Sequence, residues 1–166
     1  TASDNVGIGL NAAGATTTGA GNIAIGTNSL LQNTTGASNV SVGTYALNAN
    51  TTASNNTGIG YQALTANTTG DRNTSSGYRS MASNTTGSTH VAIGAESLRD
   101  NTTGTGSTAL GWATLAINTT GNYNVAVGMS SLLYNLTGFN NVGVGAFTLD
   151  ANTTGSSNTA VGHSAL

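Results

Sequence analysis

The sequence predicts an all-β fold, a β-solenoid of ten 17-residue coils, and three observations predict it. Glycine recurs at positions 9, 26, 43, 60, 77, 94, 111, 128, 145 and 162, every 17 residues without insertion or deletion. Just before each of these glycines, β-branched residues alternate with small ones, as in Ile23/Ile25, Val40/Val42, Val91/Ile93, Val125/Val127 and Val142/Val144. Third, Thr, Asn, Ser and Gly supply 93 of the 166 residues, while only 8 are charged and none is Pro or Cys. Disordered chains of low hydrophobicity usually carry high net charge and Pro, and this one carries neither.

The repeat starts at Asn5, Asn22, Asn39, Asn56, Asn73, His90, Ser107, Asn124, Asn141 and Asn158. It reads Asn–(Val/Thr)–small–(Ile/Val)–Gly–x–x–(Ala/Ser)–Leu–x–x–Asn–Thr–Thr–Gly–x–x, and residues 1–166 form a single array with no separate domain or linker. Positions two to four make a short strand with one apolar face, which the glycine ends. The ninth position is Leu in eight coils (Leu30, Leu47, Leu64, Leu98, Leu115, Leu132, Leu149, Leu166) and Met81 in one. The segment around it reads equally as a second short strand or a single helical turn. Asn-Thr-Thr-Gly is turn chemistry, with a positive φ expected at its glycine. Stacked coils turn each constant position into a ladder, so Asn33, Asn50, Asn67, Asn84, Asn101, Asn118, Asn135 and Asn152 are expected to bond amide to amide.

The third position holds Gly7, Ala24, Ser41, Gly58, Ser75, Ala92, Ala109, Ala126, Gly143 and Ala160, never anything larger. It lies opposite the Val/Ile face. Variable positions elsewhere range from Gly to Trp, so a close neighbour is expected against this one. A second chain is the expected neighbour; the alternative is a tight inner layer of the same coil.

Asn-(Val/Thr)-Ala-(Val/Ile)-Gly resembles the head repeats of trimeric autotransporter adhesins. The longer unit, Asn56-Thr57-Gly58-Ile59-Gly60-Tyr61-Gln62-Ala63-Leu64-Thr65-Ala66-Asn67-Thr68-Thr69-Gly70, is similar to the shafts of bacterial and phage tail-fibre-like proteins, a family often ending in an endosialidase-type intramolecular chaperone domain. The resemblance covers the whole chain. It implies a left-handed parallel β-roll in a homotrimer, intertwined or side by side. It also implies a structural segment of an extracellular fibre or adhesin, on a cell surface or virion, that projects a terminal domain toward a host receptor. With no initiating Met and no basic leader, the chain is expected to be a piece of such a longer polypeptide.

The remaining residues argue against chemistry. Asp4, Asp71, Arg72, Arg79, Glu96, Arg99, Asp100 and Asp150 all fall in variable positions, and no two carboxylates share a position in adjacent coils. No acid/base pair or carboxylate metal cage is expected, and Ser has no base to activate it. The expectation is therefore no enzyme, no catalytic, metal or cofactor-binding residue, and no cofactor. A net charge of −2 argues against nucleic acid, and no apolar run suits membrane insertion. Arg79 and Glu96, one coil apart, are expected to pair at the surface. His90 and His163 are read as surface histidines without partners.

Three lateral alternatives rest on side chains. Tyr61, Tyr78 and Trp112 share the sixth position, with Tyr45 and Phe147 in the seventh, and such a strip stacks on sugar rings or covers coil edges. Asn-x-Thr recurs in eight coils, a possible row of glycans unless turn and ladder chemistry already explains it. Ice binding is the least favoured, because the Thr pairs are adjacent and point in opposite directions. Two coils look weak: the first, with Ala13 and Thr16 in place of Leu and Asn, and the fifth, with Thr74, Ser76 and Met81 in the apolar ladder.

Overall fold

A computed structural model describes residues 2–166. Its strands are β1 (Val6–Ile8), β2 (Ile23–Ile25), β3 (Val40–Val42), β4 (Thr57–Ile59), β5 (Thr74–Ser76), β6 (Val91–Ile93), β7 (Thr108–Leu110), β8 (Val125–Val127), β9 (Val142–Val144) and β10 (Thr159–Val161). They stack in chain order as one ten-stranded parallel sheet. Register is kept at a 17-residue offset throughout, as in Val40↔Thr57 and Ala109↔Ala126. The protein is a β-solenoid with one strand per coil, and no helix occurs among the described residues.

Neither expected form of the ninth-position segment is present. It is a turn in which the seventh and ninth residues both adopt left-handed backbone. The ninth-position leucines from Leu30 to Leu149 hold φ between 46° and 52°, a conformation that costs an L-residue about 1–2 kcal/mol. A bond to the next coil and one within the turn hold it there. Leu47 N–H donates to Ala63 O at 2.9 Å, and Leu47 O accepts from Asn50 N–H at 3.1 Å. Positive φ is absent from the Asn-Thr-Thr-Gly glycine, contrary to expectation. That glycine is small for a different reason: a Cβ on Gly70 would run into the carbonyl oxygen of Gly87, one coil on. Positive φ belongs instead to the strand-ending glycine, at 119–143°. There a Cβ would also collide with the next coil, 2.7 Å from the Gly43 carbonyl carbon in the case of Gly26.

The larger correction concerns the inside. The small third residue points inward, and Ala24, Ala92, Ala109 and Ala126 are fully buried against the ninth-position leucines. A Cβ on Gly58 would already lie 3.2 Å from Leu47 Cγ. The tight inner layer of the same coil is therefore what keeps this position small, and no second chain packs on it. Eighth-position hydroxyls complete the layer, with Ser97 Oγ donating to Ala109 O at 3.1 Å and Ser131 Oγ to Gly143 O at 3.1 Å. Val and Ile at positions two and four face outward.

The asparagine ladder runs as expected, and a second one accompanies it. Asn67 Nδ2 donates to Asn50 Oδ1 at 3.1 Å and to Gly70 O at 3.0 Å. Asn56, at the first position, donates Nδ2 to the same Gly70 O at 2.9 Å, and its Oδ1 accepts the Asn73 N–H at 2.9 Å. Two files of amides thus converge on one file of carbonyls. The adjacent threonines diverge, as expected. Thr68 Oγ1 donates to Thr85 O at 3.0 Å, whereas Thr69 is exposed.

Coil one shows what the ladder is worth. Thr16 stands in the asparagine position, and its buried Oγ1 has no partner. Thr16→Asn should supply the missing rung toward Asn33 and raise stability by about 1–2 kcal/mol, read as a higher thermal midpoint. Asn101→Ala, in mid-array, strips the Asn118 amide of its Asn101 Oδ1 acceptor at 2.9 Å and should cost about 1–3 kcal/mol. Ala126→Leu should also destabilise by about 1–3 kcal/mol, because the added carbons meet the core and not a partner.

Candidate functional site

Outward projection of positions two and four gives the solenoid an apolar wall. Ile8, Ile59 and Ile93 are 58%, 42% and 46% exposed, and Val91, Val125, Val144 and Val161 stand beside them. A strand places these two residues about 7 Å apart, and coils repeat at about 4.8 Å, so ten coils give a face of about 340 Å². That is within the range of the largest patches seen on monomeric proteins, which are often functional. One rung is polar. In β5 the outward residues are Thr74 and Ser76, so the irregular fifth coil interrupts this wall and not the core. Met81 of that coil is fully buried and fills the leucine site.

A row of larger side chains flanks the wall at the sixth position. Tyr61 and Tyr78 stack with ring centroids 5.7 Å apart and planes 11° from parallel, and Tyr45 meets Tyr61 edge-on at 6.5 Å. Ala95 follows, then Trp112 and Met129. Phe147 packs against His163 at 5.8 Å. Tyr61, Tyr78, Trp112 and Met129 are all exposed.

The expected Arg79–Glu96 pair does not form. Glu96 instead accepts from Arg99 Nη1 at 2.9 Å, and Arg99 Nη2 reaches Asp100 at 2.7 Å. Both partners lie within three residues of Arg99 on one turn, closer to hand than the next coil. Hydrogen bonding to Asp100 is the main influence raising the guanidinium pKa above its ordinary value. Being partly exposed, the cluster adds little to stability. Arg79 Nε is buried without a partner.

His90 is not a surface residue. It occupies the asparagine site at the first position and is fully buried. Its Nε2–H donates to Gly104 O at 2.6 Å, as an asparagine amide does, and its Nδ1 accepts the Ser107 N–H at 3.1 Å. The imidazole thus imitates both ends of an asparagine, which requires the neutral ring. Burial lowers its pKa from the ordinary value, opposed by the bond to Gly104 O. Its place among the first-position asparagines was the signal for burial in the sequence. His163, by contrast, is exposed.

Among the described residues no three His, Asp or Glu side chains gather as metal ligands, and no helix is long and apolar enough to cross a membrane. The Asn-x-Thr asparagines from Asn33 to Asn135 are buried with their amides bonded, so a glycan there is incompatible with this fold. The exposed fourteenth-position threonines make a single file, not the two-wide array that ice binding needs. Compared with known protein families, curated proteins and solved structures, the chain matches none.

The geometry of His90 gives a pH dependence. A depressed folded pKa means that the unfolded chain binds the proton first. The contribution of His90 is therefore fully present above about pH 6.5 and is lost as pH falls from there toward the folded pKa. The thermal midpoint should drop as pH falls below about 6.5. His90→Asn should abolish that drop while keeping the fold. An unchanged slope in the variant would show that other groups set it.

Proposed function

We propose that this chain is a non-enzymatic structural segment of an extracellular trimeric fibre or adhesin, in which three copies cover one another's Val/Ile walls. The carrying observation is the wall itself, an uncharged apolar ladder repeated at the spacing of the coils from Val6 to Val161. A globular partner has no matching repeat, whereas a second copy presents the same rise at every rung. In register, the polar rung of Thr74 and Ser76 meets its own equivalents and the valines and isoleucines meet theirs. The number three, the extracellular setting and the projection of a terminal recognition domain come from the resemblance to adhesin heads and tail-fibre shafts.

The same geometry suits a shaft. Every coil is hydrogen-bonded to the next around its perimeter, as in Val40 N–H to Asn56 O, Leu47 N–H to Ala63 O and Thr68 N–H to Thr85 O. Such a rod resists local opening and protease attack at its coils. Ionisable groups are sparse and scattered, which supports the non-enzymatic reading.

Light scattering across a dilution series tests the assembly. The chain should be trimeric at micromolar concentration. Val125→Glu, which places a charge on the wall, should yield monomers that keep their β-sheet circular dichroism. Thr120→Glu, in the exposed fourteenth-position file, should leave the trimer intact. A wild-type chain that stays monomeric at high concentration refutes the trimer, and a trimer indifferent to Val125→Glu places the interface elsewhere.

A further inference from the structure

We infer that coils five to seven carry a lateral site for the pyranose ring of a neutral saccharide, seated over Ala95 between Tyr78 and Trp112. The sixth position is the row in question. Tyr61 uses one face of the Tyr78 ring, so the opposite face of Tyr78 is turned along the axis toward the sixth coil. There the row holds Ala95, and the indole of Trp112 stands one coil beyond it. Both flanking rings are open to solvent, Tyr78 at 51% and Trp112 at 56% exposure.

Spacing selects the ligand. Two coils separate the flanking residues by about 10 Å. A ring held between two aromatic faces needs about 4 Å of contact on each side. A flat base therefore leaves about 2 Å of the gap unfilled, whereas the chair of a pyranose, thicker by about that much, spans it. Elsewhere in the row the aromatic faces are already used: Tyr61 lies between Tyr45 and Tyr78, and Phe147 lies on His163.

Polar residues adjoin Tyr78 and Ala95 in the chain and are proposed to meet the sugar hydroxyls. Glu96 follows Ala95 directly and is held by Arg99, which also binds Asp100. Arg79, next to Tyr78, makes no ion pair among the described residues, and its buried Nε lacks a partner. An apolar ring contact with a few fixed polar groups beside it is the usual make-up of a saccharide site. Two arginines against two acids leave no net positive charge for a phosphate backbone, which disfavours a nucleobase.

Trp112 is the chain's single tryptophan, so its fluorescence reports on this site alone. The wild-type protein is titrated with cellohexaose and with the corresponding N-acetylglucosamine hexamer. A saturable change in emission is expected with at least one of them. Ala95→Tyr fills the notch with a residue that the sixth position already carries at Tyr61 and Tyr78, so the coil is expected to fold. It should weaken binding at least about tenfold, as should Tyr78→Ala, while Tyr134→Ala on another face leaves binding unchanged. No saturable change with either hexamer overturns the proposal. So does an Ala95→Tyr variant that binds as the wild type does. Tighter binding of an oligothymidylate than of either saccharide assigns the notch to nucleic acid instead. The proposal does not rest on the trimer, because the dilution series and the titration are read separately.

Discussion

Everything in this protein depends on bonding each coil to the next at an unbroken 17-residue offset. A parallel strand of three residues contributes few hydrogen bonds of its own, so the turns must carry the ladder as well. They do, through backbone groups that continue the pairing beyond the strand, as in Gly60 N–H to Val42 O at 2.8 Å and Asn28 N–H to Leu10 O at 2.8 Å. The asparagines solve the remaining problem. A carbonyl such as Gly70 O is buried where the chain turns, and the amides of Asn56 and Asn67 both reach it. The first position is the more tolerant of the two: Ser107 stands there, its Oγ accepting the Asn124 N–H while Asn118 still reaches Gly121 O. The glycines follow from the same constraint, since a Cβ at Gly70 or Gly26 would press on the backbone of the next coil, a crowding that the fifteenth position accommodates once, at Ala53.

Such close stacking leaves a narrow interior. It admits one leucine and one alanine-sized residue per coil, joined in some coils by a seryl hydroxyl bonded to the strand carbonyl, as at Ser97 and Ser131. There is no room inside for the valines and isoleucines as well. Their outward placement is thus a consequence of packing volume, and it gives the solenoid a wall whose natural cover is another surface of the same period. The left-handed leucines belong to the same account: each is strained locally and held by a bond to the next coil and one within its own turn.

Function, on this reading, is divided between the faces. The wall would serve assembly, while the variable sixth position beside it is free to differ from coil to coil without touching core or ladder. That freedom is what allows tyrosines to stack at Tyr61 and Tyr78 and a gap to open at Ala95. A scaffold that fixes spacing to one coil rise turns a single small residue into a ring-sized notch.

The sequence by itself determined the architecture: the 17-residue glycine spacing demanded stacked coils, the Ile23/Ile25 type of alternation demanded a strand, and the repeated Asn-Thr-Thr demanded amide ladders. These were legible because one position recurs in every coil and a ladder magnifies any preference. Direction was not legible. A strand of alternating residues looks the same with either face inside, and hydrophobicity favoured burying Val125 and Val127 when the structure buries Ala126. Only the closed coil decides, because the space between strand and leucine turn accepts an alanine and excludes a valine. Likewise, His90 looked like a solvent-facing substitution until the fold placed it between Gly104 O and the Ser107 N–H, and Glu96 chose Arg99 over Arg79 because a turn brings three-residue neighbours together. Periodicity specifies which residues are equivalent; the volume enclosed by the chain specifies which way they point.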